Sequence, residues 1–230
     1  MTTLLLLPGL DGTGLLFKRF EAISPEWLEC RSVRYPDRPG WDYPDYVRYV
    51  LEECLPEESF VVLGESFSGP VAIEVAASEP KGLLGLALCN TFAVRPGPRA
   101  LRHLPWELVS GRSISRFTAG LHLVGARLAA ELTPEIRHAN SQVSAAAKAA
   151  RLRAVFRVDV RPSLRKLSQP AVHLRGTRDR LVPFWSLRQT EKTNPNLAVA
   201  RIPGPHLLLQ AAPERCWNAL IKHLPLGPAA

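Results

Sequence analysis

The stretch that decides the fold is Phe60-Val61-Val62-Leu63-Gly64-Glu65-Ser66-Phe67-Ser68-Gly69. Its apolar first half predicts a buried strand, and the alanine-rich segment 69–78 that follows predicts a helix. Strand and helix are joined by almost no loop, so the turn between them needs small residues where the two backbones nearly touch. Because the strand ends at Leu63, Ser66 is predicted at the apex of the turn. Ser68, the alternative reactive serine, falls in the first turn of the helix.

Outward from this turn, strand and helix patterns alternate along most of the chain. Short apolar runs predict strands at 2–7, 29–35, 60–63, 83–89, 171–174 and 197–202. Helical spacing of apolar residues predicts helices at 15–22, 43–54, 69–78, 184–191 and 214–224. Such alternation predicts an α/β fold with a mostly parallel sheet of about six strands, flanked by helices on both faces.

One segment interrupts the alternation. Residues 92–166 show no clear strand, and their Leu-, Ala- and Arg-rich helical pattern is broken at Pro105 and Pro134. We predict a helical cap or lid inserted after the fourth strand, over the carboxyl ends of the strands, where open α/β sheets bind ligands. Residues 1–91 and 167–230 then form the core, and the tail 225–230 is predicted to be disordered.

Composition narrows the class of protein. With 230 residues, 46% hydrophobic and 22% charged, the chain can build one domain with a sizeable core. It has no apolar run near the roughly 20 residues of a membrane-spanning helix. Its N-terminus lacks the basic region of a signal peptide, which predicts a cytoplasmic protein. The four cysteines lie far apart and the histidines do not cluster, so neither a disulfide framework nor a metal site is expected.

The positive charge is concentrated in the predicted cap. Residues 95–166 hold twelve arginines and two lysines against four acidic residues, so this segment carries +10 of a chain whose net charge is +8. A basic surface of this kind can attract an acidic partner, although an arginine-rich solvated surface has the same composition. Nucleic-acid-binding motifs are absent from the sequence, so nucleic acid is not an expected partner.

Two further polar residues follow predicted strands. A serine hydroxyl needs a neighbouring base to act as a nucleophile, and His206 comes directly after the last strand in Ile202-Pro203-Gly204-Pro205-His206. Asp179 follows the preceding strand and would accept the imidazole N–H, which fixes its tautomer. A turn aspartate paired with Arg178 or Arg180 is the alternative, and Asp159, which precedes its strand, is the weaker candidate for the acid.

The remaining histidines are poorer candidates for the base. Three lie in the predicted cap, one lies within a strand where a core role is expected, and one lies in the final helix. They are His103, His122, His138, His173 and His223.

Together these residues resemble the α/β-hydrolase superfamily along nearly the whole chain. The stretch 64–68 is similar to its nucleophile elbow, G-x-S-x-G, with Ser68 where glycine is usual, and the order Ser66, Asp179, His206 is that of its catalytic triad. The opening Leu7-Pro8-Gly9-Leu10-Asp11-Gly12-Thr13-Gly14 resembles its oxyanion loop. By this resemblance, the backbone N–H groups of Leu10 and Phe67 form the oxyanion hole, and Asp11 is expected to hold the loop through an Asx turn.

The resemblance implies a serine carboxylesterase that hydrolyses a small ester with an apolar acyl group and needs no cofactor. Three alternatives stay open. The chain is also similar to plastid-type esterases and acyltransferases, which implies acyl transfer by the same triad. Its size and basic cap resemble pimeloyl-carrier methyl esterases, which implies an acyl group on an acidic carrier. Two departures from the pattern of the superfamily, Pro8 where histidine is common in the oxyanion loop and Ser68 where glycine is usual, are the support for a non-catalytic binding protein of this fold.

Overall fold

A single sheet of six parallel strands forms the centre of the molecule in the computed structural model, which describes residues 1–107 and 121–227. The strands are β1 (Thr2–Leu7), β2 (Leu28–Ser32), β3 (Phe60–Glu65), β4 (Leu83–Cys89), β5 (Ala171–Gly176) and β6 (Leu197–Ile202). Their order across the sheet is β2-β1-β3-β4-β5-β6. All five pairings are parallel, so the carboxyl ends of the strands lie along one edge.

In the described ranges, helices connect the strands and two more follow the last strand. They are α1 (Lys18–Glu21), α2 (Tyr43–Tyr49), α3 (Gly69–Ala77), α4 (Leu121–Ser141), α5 (Ala145–Val155), α6 (Arg161–Lys166), α7 (Phe184–Thr193), α8 (Leu208–Ala211) and α9 (Pro213–His223). Short 3-10 turns lie at Leu15–Phe17, Ser66–Ser68 and Arg99–His103, and a π-helical turn at Val50–Cys54 extends α2. Within the described residues, no helix is long and apolar enough to cross a membrane.

The sheet is buried on both faces. In β1, Leu5 and Leu7 pack on one face with residues of α2, α3 and α6, whereas Leu4 and Leu6 pack on the other with α1 and α9. All four leucines are fully buried. This explains why the strand sequences are continuous apolar runs without polar alternation. The prediction of an α/β fold with a six-stranded, mostly parallel sheet is confirmed.

The segment between β4 and β5 crosses the carboxyl edge of the sheet. It contains α4, α5 and α6; residues 108–120 of the predicted cap lie outside the described residues. Buried residues of α4 pack against Leu16, from the loop after β1, and Leu207, from the loop after β6. We call residues 92–166 the insertion. Its contacts place it beside the loops that carry the candidate site.

The structure corrects three details. Strand β3 continues to Glu65, so Ser66 follows the strand directly. Helix α4 passes through Pro134 without ending there, because Leu132 and Ile136, one turn apart, are both buried on the same apolar cluster. In the tail, Leu226 is buried and its carbonyl accepts a hydrogen bond from the indole of Trp27, so the chain is packed to that point.

Candidate active site

Ser66 lies on a strained turn between β3 and α3. Its φ of 51° is in the left-handed region, which costs a non-glycine residue about 1–3 kcal/mol. The turn closes because Gly64 has no side chain: a Cβ there would lie 2.5 Å from the carbonyl oxygen of Ser68. The Ser66 carbonyl accepts a hydrogen bond from the hydroxyl of Thr91, just after β4. The serine is thus held at the carboxyl edge of the sheet, between a fixed strand and a fixed helix.

His206 and Asp179 continue a chain of hydrogen bonds from this serine. The Oγ of Ser66 lies 2.9 Å from Nε2 of His206, and Nδ1 of His206 lies 2.9 Å from Oδ2 of Asp179. Both the imidazole and the carboxylate are almost completely buried. The other carboxylate oxygen, Oδ1, accepts backbone N–H groups of Leu181 and Val182, which fixes its orientation. The structure therefore brings together the three residues that the sequence singled out.

Asn90 joins the loops that carry the histidine and the aspartate. It follows β4 directly, is fully buried, and donates from Nδ2 to the carbonyl oxygens of Pro205 and His206, at 2.9 and 2.7 Å. Its Oδ1 accepts the N–H of Gly176, at the end of β5. Sequence reasoning missed this residue, although a polar side chain directly after a buried strand is the same signal that identified Asp179.

The loop after β1 lies against the serine. A Cβ on Gly9 would be 3.8 Å from that of Ser66. The loop forms a tight turn, in which the N–H of Gly12 donates to the carbonyl of Gly9 at 3.0 Å. Asp11 accepts the backbone N–H of Thr13 at 2.9 Å, which is the predicted Asx turn. The turn gives Leu10, one of the two predicted oxyanion donors, a defined backbone conformation next to Ser66.

Ser68, where the elbow motif usually has glycine, takes part in holding that loop. Its buried hydroxyl donates to the carbonyl of Pro8 and accepts from the hydroxyl of Tyr35, 2.8 Å away. Both hydrogen-bonding directions of Ser68 are occupied by these groups, neither of which is a base suited to activate it. Ser66, which contacts a histidine, is therefore the better-placed nucleophile.

Glu65, between the strand and Ser66, is a buried carboxyl group. The residue is 2% exposed, and the side chain of Gln210 donates a hydrogen bond to its Oε2 at 3.3 Å. Within the described part of the chain, its Oε1 has no hydrogen-bond partner. Burial raises the pKa of Glu65 to about 7, with a further small rise from the nearby Asp11, while the imidazole of His206 opposes this rise. Glu65 is thus neutral in mildly acidic solution.

The other candidates of the sequence lie elsewhere. Asp159 is exposed and pairs with Arg161, so it does not serve the histidine. His173 is fully buried in β5, where burial and the charge of Arg175 lower its pKa to about 4. In the described ranges, no group of three or more His, Cys, Asp or Glu residues could hold a metal ion.

Comparison with solved structures identifies the fold. The enol-lactonase from Burkholderia xenovorans LB400 superposes with a TM-score of 0.80 at 16% identity, covering 96% of this chain and 90% of that one. The bromoperoxidase from Bacillus anthracis gives 0.79 at 18% identity, with 96% and 91% covered. The esterase EaEST from Exiguobacterium antarcticum gives 0.76 at 14% identity, again with 96% and 91% covered. This chain has the α/β-hydrolase fold.

Two curated proteins match part of the sequence of this chain. The biotin biosynthesis bifunctional protein BioHC of Teredinibacter turnerae is 26% identical over 237 aligned positions, which cover 86% of this chain and 41% of that protein. The chloroplastic phytyl ester synthase 2 of Arabidopsis thaliana is 32% identical over 114 positions, covering 44% and 16%. The chain therefore spans less than half the length of either relative. No protein-family model matches it.

Proposed function

We propose that the protein is a carboxylic-ester hydrolase that works through a covalent acyl-enzyme. The single observation that carries this proposal is the unbroken hydrogen-bonded series from Ser66 through His206 to Asp179, with 2.9 Å at both contacts. These are the distances over which a general base activates a serine and a carboxylate orients that base.

In the proposed mechanism, Ser66 Oγ attacks the ester carbonyl while its proton passes to Nε2 of His206. Asp179 holds the Nδ1–H tautomer and stabilises the imidazolium that forms. The carbonyl oxygen becomes an oxyanion, which the N–H groups of Leu10 and Phe67 stabilise. His206 then gives its proton to the leaving alcohol. A water molecule, deprotonated by His206, attacks the acyl-enzyme, and the released acid leaves Ser66 protonated again.

The substrate class follows from the surroundings of the site. The insertion packs its apolar residues against the loops after β1 and β6, and we propose that it forms a cap over an apolar acyl group. The predicted basic surface keeps its positive charge, because Glu107 and Asp159, which pair with Arg153 and Arg161, are already counted in its net charge, and only Asp42, the partner of Arg157, lies outside it. The apolar packing of the insertion is the reason to prefer a small-molecule ester, and the basic surface leaves an acyl group on an acidic carrier as the alternative substrate.

Hydrolysis of p-nitrophenyl esters from acetate to palmitate tests this proposal. Wild-type protein is expected to be active, and Ser66→Ala to lose about 10⁴-fold or more. Ser78→Ala, an exposed serine at the end of α3, is the matched control. A fluorophosphonate probe should label Ser66, and peptide mass spectrometry distinguishes this from labelling of Ser68. Wild type that neither turns over an ester nor reacts with the probe contradicts the proposal and favours a binding protein.

Acyl transfer is a second candidate, favoured by the match to a phytyl ester synthase. In that reaction a long-chain alcohol replaces water as acceptor of the acyl group on Ser66. Adding such an alcohol to the ester assay and measuring the new ester against free acid decides between the two. Product that is mainly ester at modest alcohol concentration assigns a transferase.

A further inference from the structure

Arg151, on α5 of the insertion, is a buried cation directed at the loop after β1. Its side chain is fully buried, and one nitrogen, Nη1, donates to the carbonyl oxygens of Leu10 and Asp11 at 2.9 and 2.8 Å. Nε donates to the hydroxyl of Tyr46 at 3.0 Å, and the guanidinium faces the Tyr46 ring with its carbon 5.6 Å from the centroid. The insertion thus reaches through to the backbone around one of the two proposed oxyanion donors.

The loop is shaped to receive this guanidinium. Gly12 has φ of +69°, and a Cβ there would lie 2.3 Å from Nη1 of Arg151. Any other residue at position 12 would therefore collide with the arginine and be strained in its backbone. The glycine that makes the turn possible is also the one that makes room for the arginine.

Burying Arg151 is costly, and the cost is not offset by an opposite charge. Across residues 1–107 and 121–227, no carboxylate lies within ion-pair distance of its guanidinium, and Nη2 has no hydrogen-bond partner. A buried cation without a carboxylate is unfavourable, so an apolar residue would serve mere packing better. Tyr46 accepts from Nε, and the two carbonyl groups that Arg151 contacts both belong to the loop, which points to the loop as the reason for the charge.

The hydrogen bonds fix the direction of the Leu10 N–H. The N–H of Leu10 belongs to the peptide that carries the Gly9 carbonyl, which faces the N–H of Gly12 across the turn. Because C=O and N–H of one trans peptide point in opposite directions, the Leu10 N–H points away from Gly12. Arg151 holds the next two carbonyls, and the Asp11 carbonyl belongs to the same peptide as the Gly12 N–H, so holding it also orients the donor to Gly9. Ser68 holds the preceding carbonyl, on Pro8. Every carbonyl from position 8 to position 11 is therefore held in place.

We propose that Arg151 is a positioning residue for the oxyanion hole. From its place in the insertion, it holds the carbonyls of Leu10 and Asp11 and thereby fixes the direction of the Leu10 N–H. This inference rests on the proposed ester hydrolysis and adds to it a residue outside the triad. Misplacing a catalytic group by about 1 Å costs on the order of 100-fold in rate. Loss of Arg151 should therefore lower kcat and leave ground-state binding of the ester unchanged.

Three variants separate the possible roles of Arg151. Arg151→Met keeps length and removes all donors, whereas Arg151→Lys keeps the charge and one nitrogen that can donate to carbonyls but loses the separate Nε donor to Tyr46 that orients the side chain. Arg153→Met is the matched control, because Arg153 lies on the same helix and pairs with the partly exposed Glu107. Thermal unfolding and near-ultraviolet circular dichroism show which variants are folded. Tyr46→Phe, which removes the acceptor of Nε, replaces Arg151→Met if that variant does not fold.

The decisive readout compares two inhibitors of equal chain length. A trifluoromethyl ketone forms an adduct in which Ser66 Oγ adds to the carbonyl carbon, the proton passes to His206 and the carbonyl oxygen becomes an oxyanion. The corresponding methyl ketone binds without this step. For Arg151→Met we expect kcat and trifluoromethyl ketone affinity to fall together by about 100-fold, and for Arg151→Lys by about tenfold. KM and methyl ketone affinity should stay within about twofold in both.

The outcomes distinguish this inference from the proposed function. Wild type that hydrolyses no ester overturns both. If wild type is active and Ser66→Ala is not, but folded Arg151→Met retains full kcat, the role of Arg151 alone is overturned. Affinities for both ketones that fall in parallel, or a raised KM at constant kcat, also overturn it, because they assign Arg151 to substrate binding.

Discussion

Replacing Glu65 by glutamine should change the pH dependence of folding stability. Burial raises the pKa of Glu65 to about 7 from an ordinary value of 4.5. Between these pH values, the folded protein keeps a proton that the unfolded chain has lost. Unfolding then releases a proton, so stability falls as the pH rises through this window. The difference in pKa corresponds to about 3 kcal/mol, which is a large part of the 5–15 kcal/mol typical of a domain.

The assay is urea unfolding at several pH values from 4.5 to 8, for wild type and Glu65→Gln. We expect the stability of the variant relative to wild type to increase by about 3 kcal/mol across this range, with most of the change below pH 7. Glu57→Gln, at an exposed glutamate, controls for the loss of one carboxylate. Stability curves for wild type and Glu65→Gln that remain parallel would refute the reasoning that Glu65 is buried as a neutral acid.

Two further predictions concern a buried histidine of the sheet and the asparagine that joins the loops of the site. His173 should give folding stability the opposite pH dependence from Glu65. Burial lowers its pKa to about 4 from 6.5, so its contribution to stability is present above pH 6.5, and about 3 kcal/mol is lost as the pH falls to 4. Urea midpoints should show His173→Leu losing less stability than wild type between pH 6.5 and 4.5, and equal losses would contradict this. Asn90→Ala leaves the carbonyls of Pro205 and His206 and the N–H of Gly176 unpaired, so we expect about 2–4 kcal/mol of destabilisation and at least about a tenfold lower kcat. Asn140→Ala, at a partly exposed helix position, is the control for Asn90→Ala, and an unchanged kcat in folded Asn90→Ala would show that the two loops hold their positions without it.

The residues that sequence could indicate are those that follow strands. Ser66, Asp179 and His206 each come directly or within a few residues after an apolar run, and the chain order of parallel strands brings such positions to one edge. Arg151 could not be found in this way. It lies on an alanine- and arginine-rich helix, where Arg153, two residues later, is partly exposed. Composition is the same for the buried and the exposed arginine, and what separates them is the packing of α5 against a loop 140 residues earlier in the chain.

Local patterns also failed where tertiary packing overrides them. Proline in a helix removes one backbone hydrogen bond, yet α4 continues through Pro134 because Leu132 and Ile136, on either side of it, are buried in the same apolar cluster. The apolar run predicts an end of β3 at Leu63 because Gly64 interrupts it, but Gly64 and Glu65 remain paired with β4 in the structure. In both cases the deciding contacts are with residues distant in sequence.

The contact of Arg151 with the turn at Leu10 and Asp11 has a consequence for protein engineering. Lid segments of hydrolases can be exchanged between homologues to change substrate selectivity. Such an exchange assumes that the lid does not contact the residues that carry out the reaction. In this protein the insertion is hydrogen-bonded through Arg151 to the loop beside Ser66, and Gly12 leaves the space that the guanidinium occupies. A transplanted insertion lacking this arginine would leave two backbone acceptors without a partner and an empty volume in the loop beside Ser66. Chimeras of this protein therefore need the arginine and the glycine to be moved, or retained, as a pair.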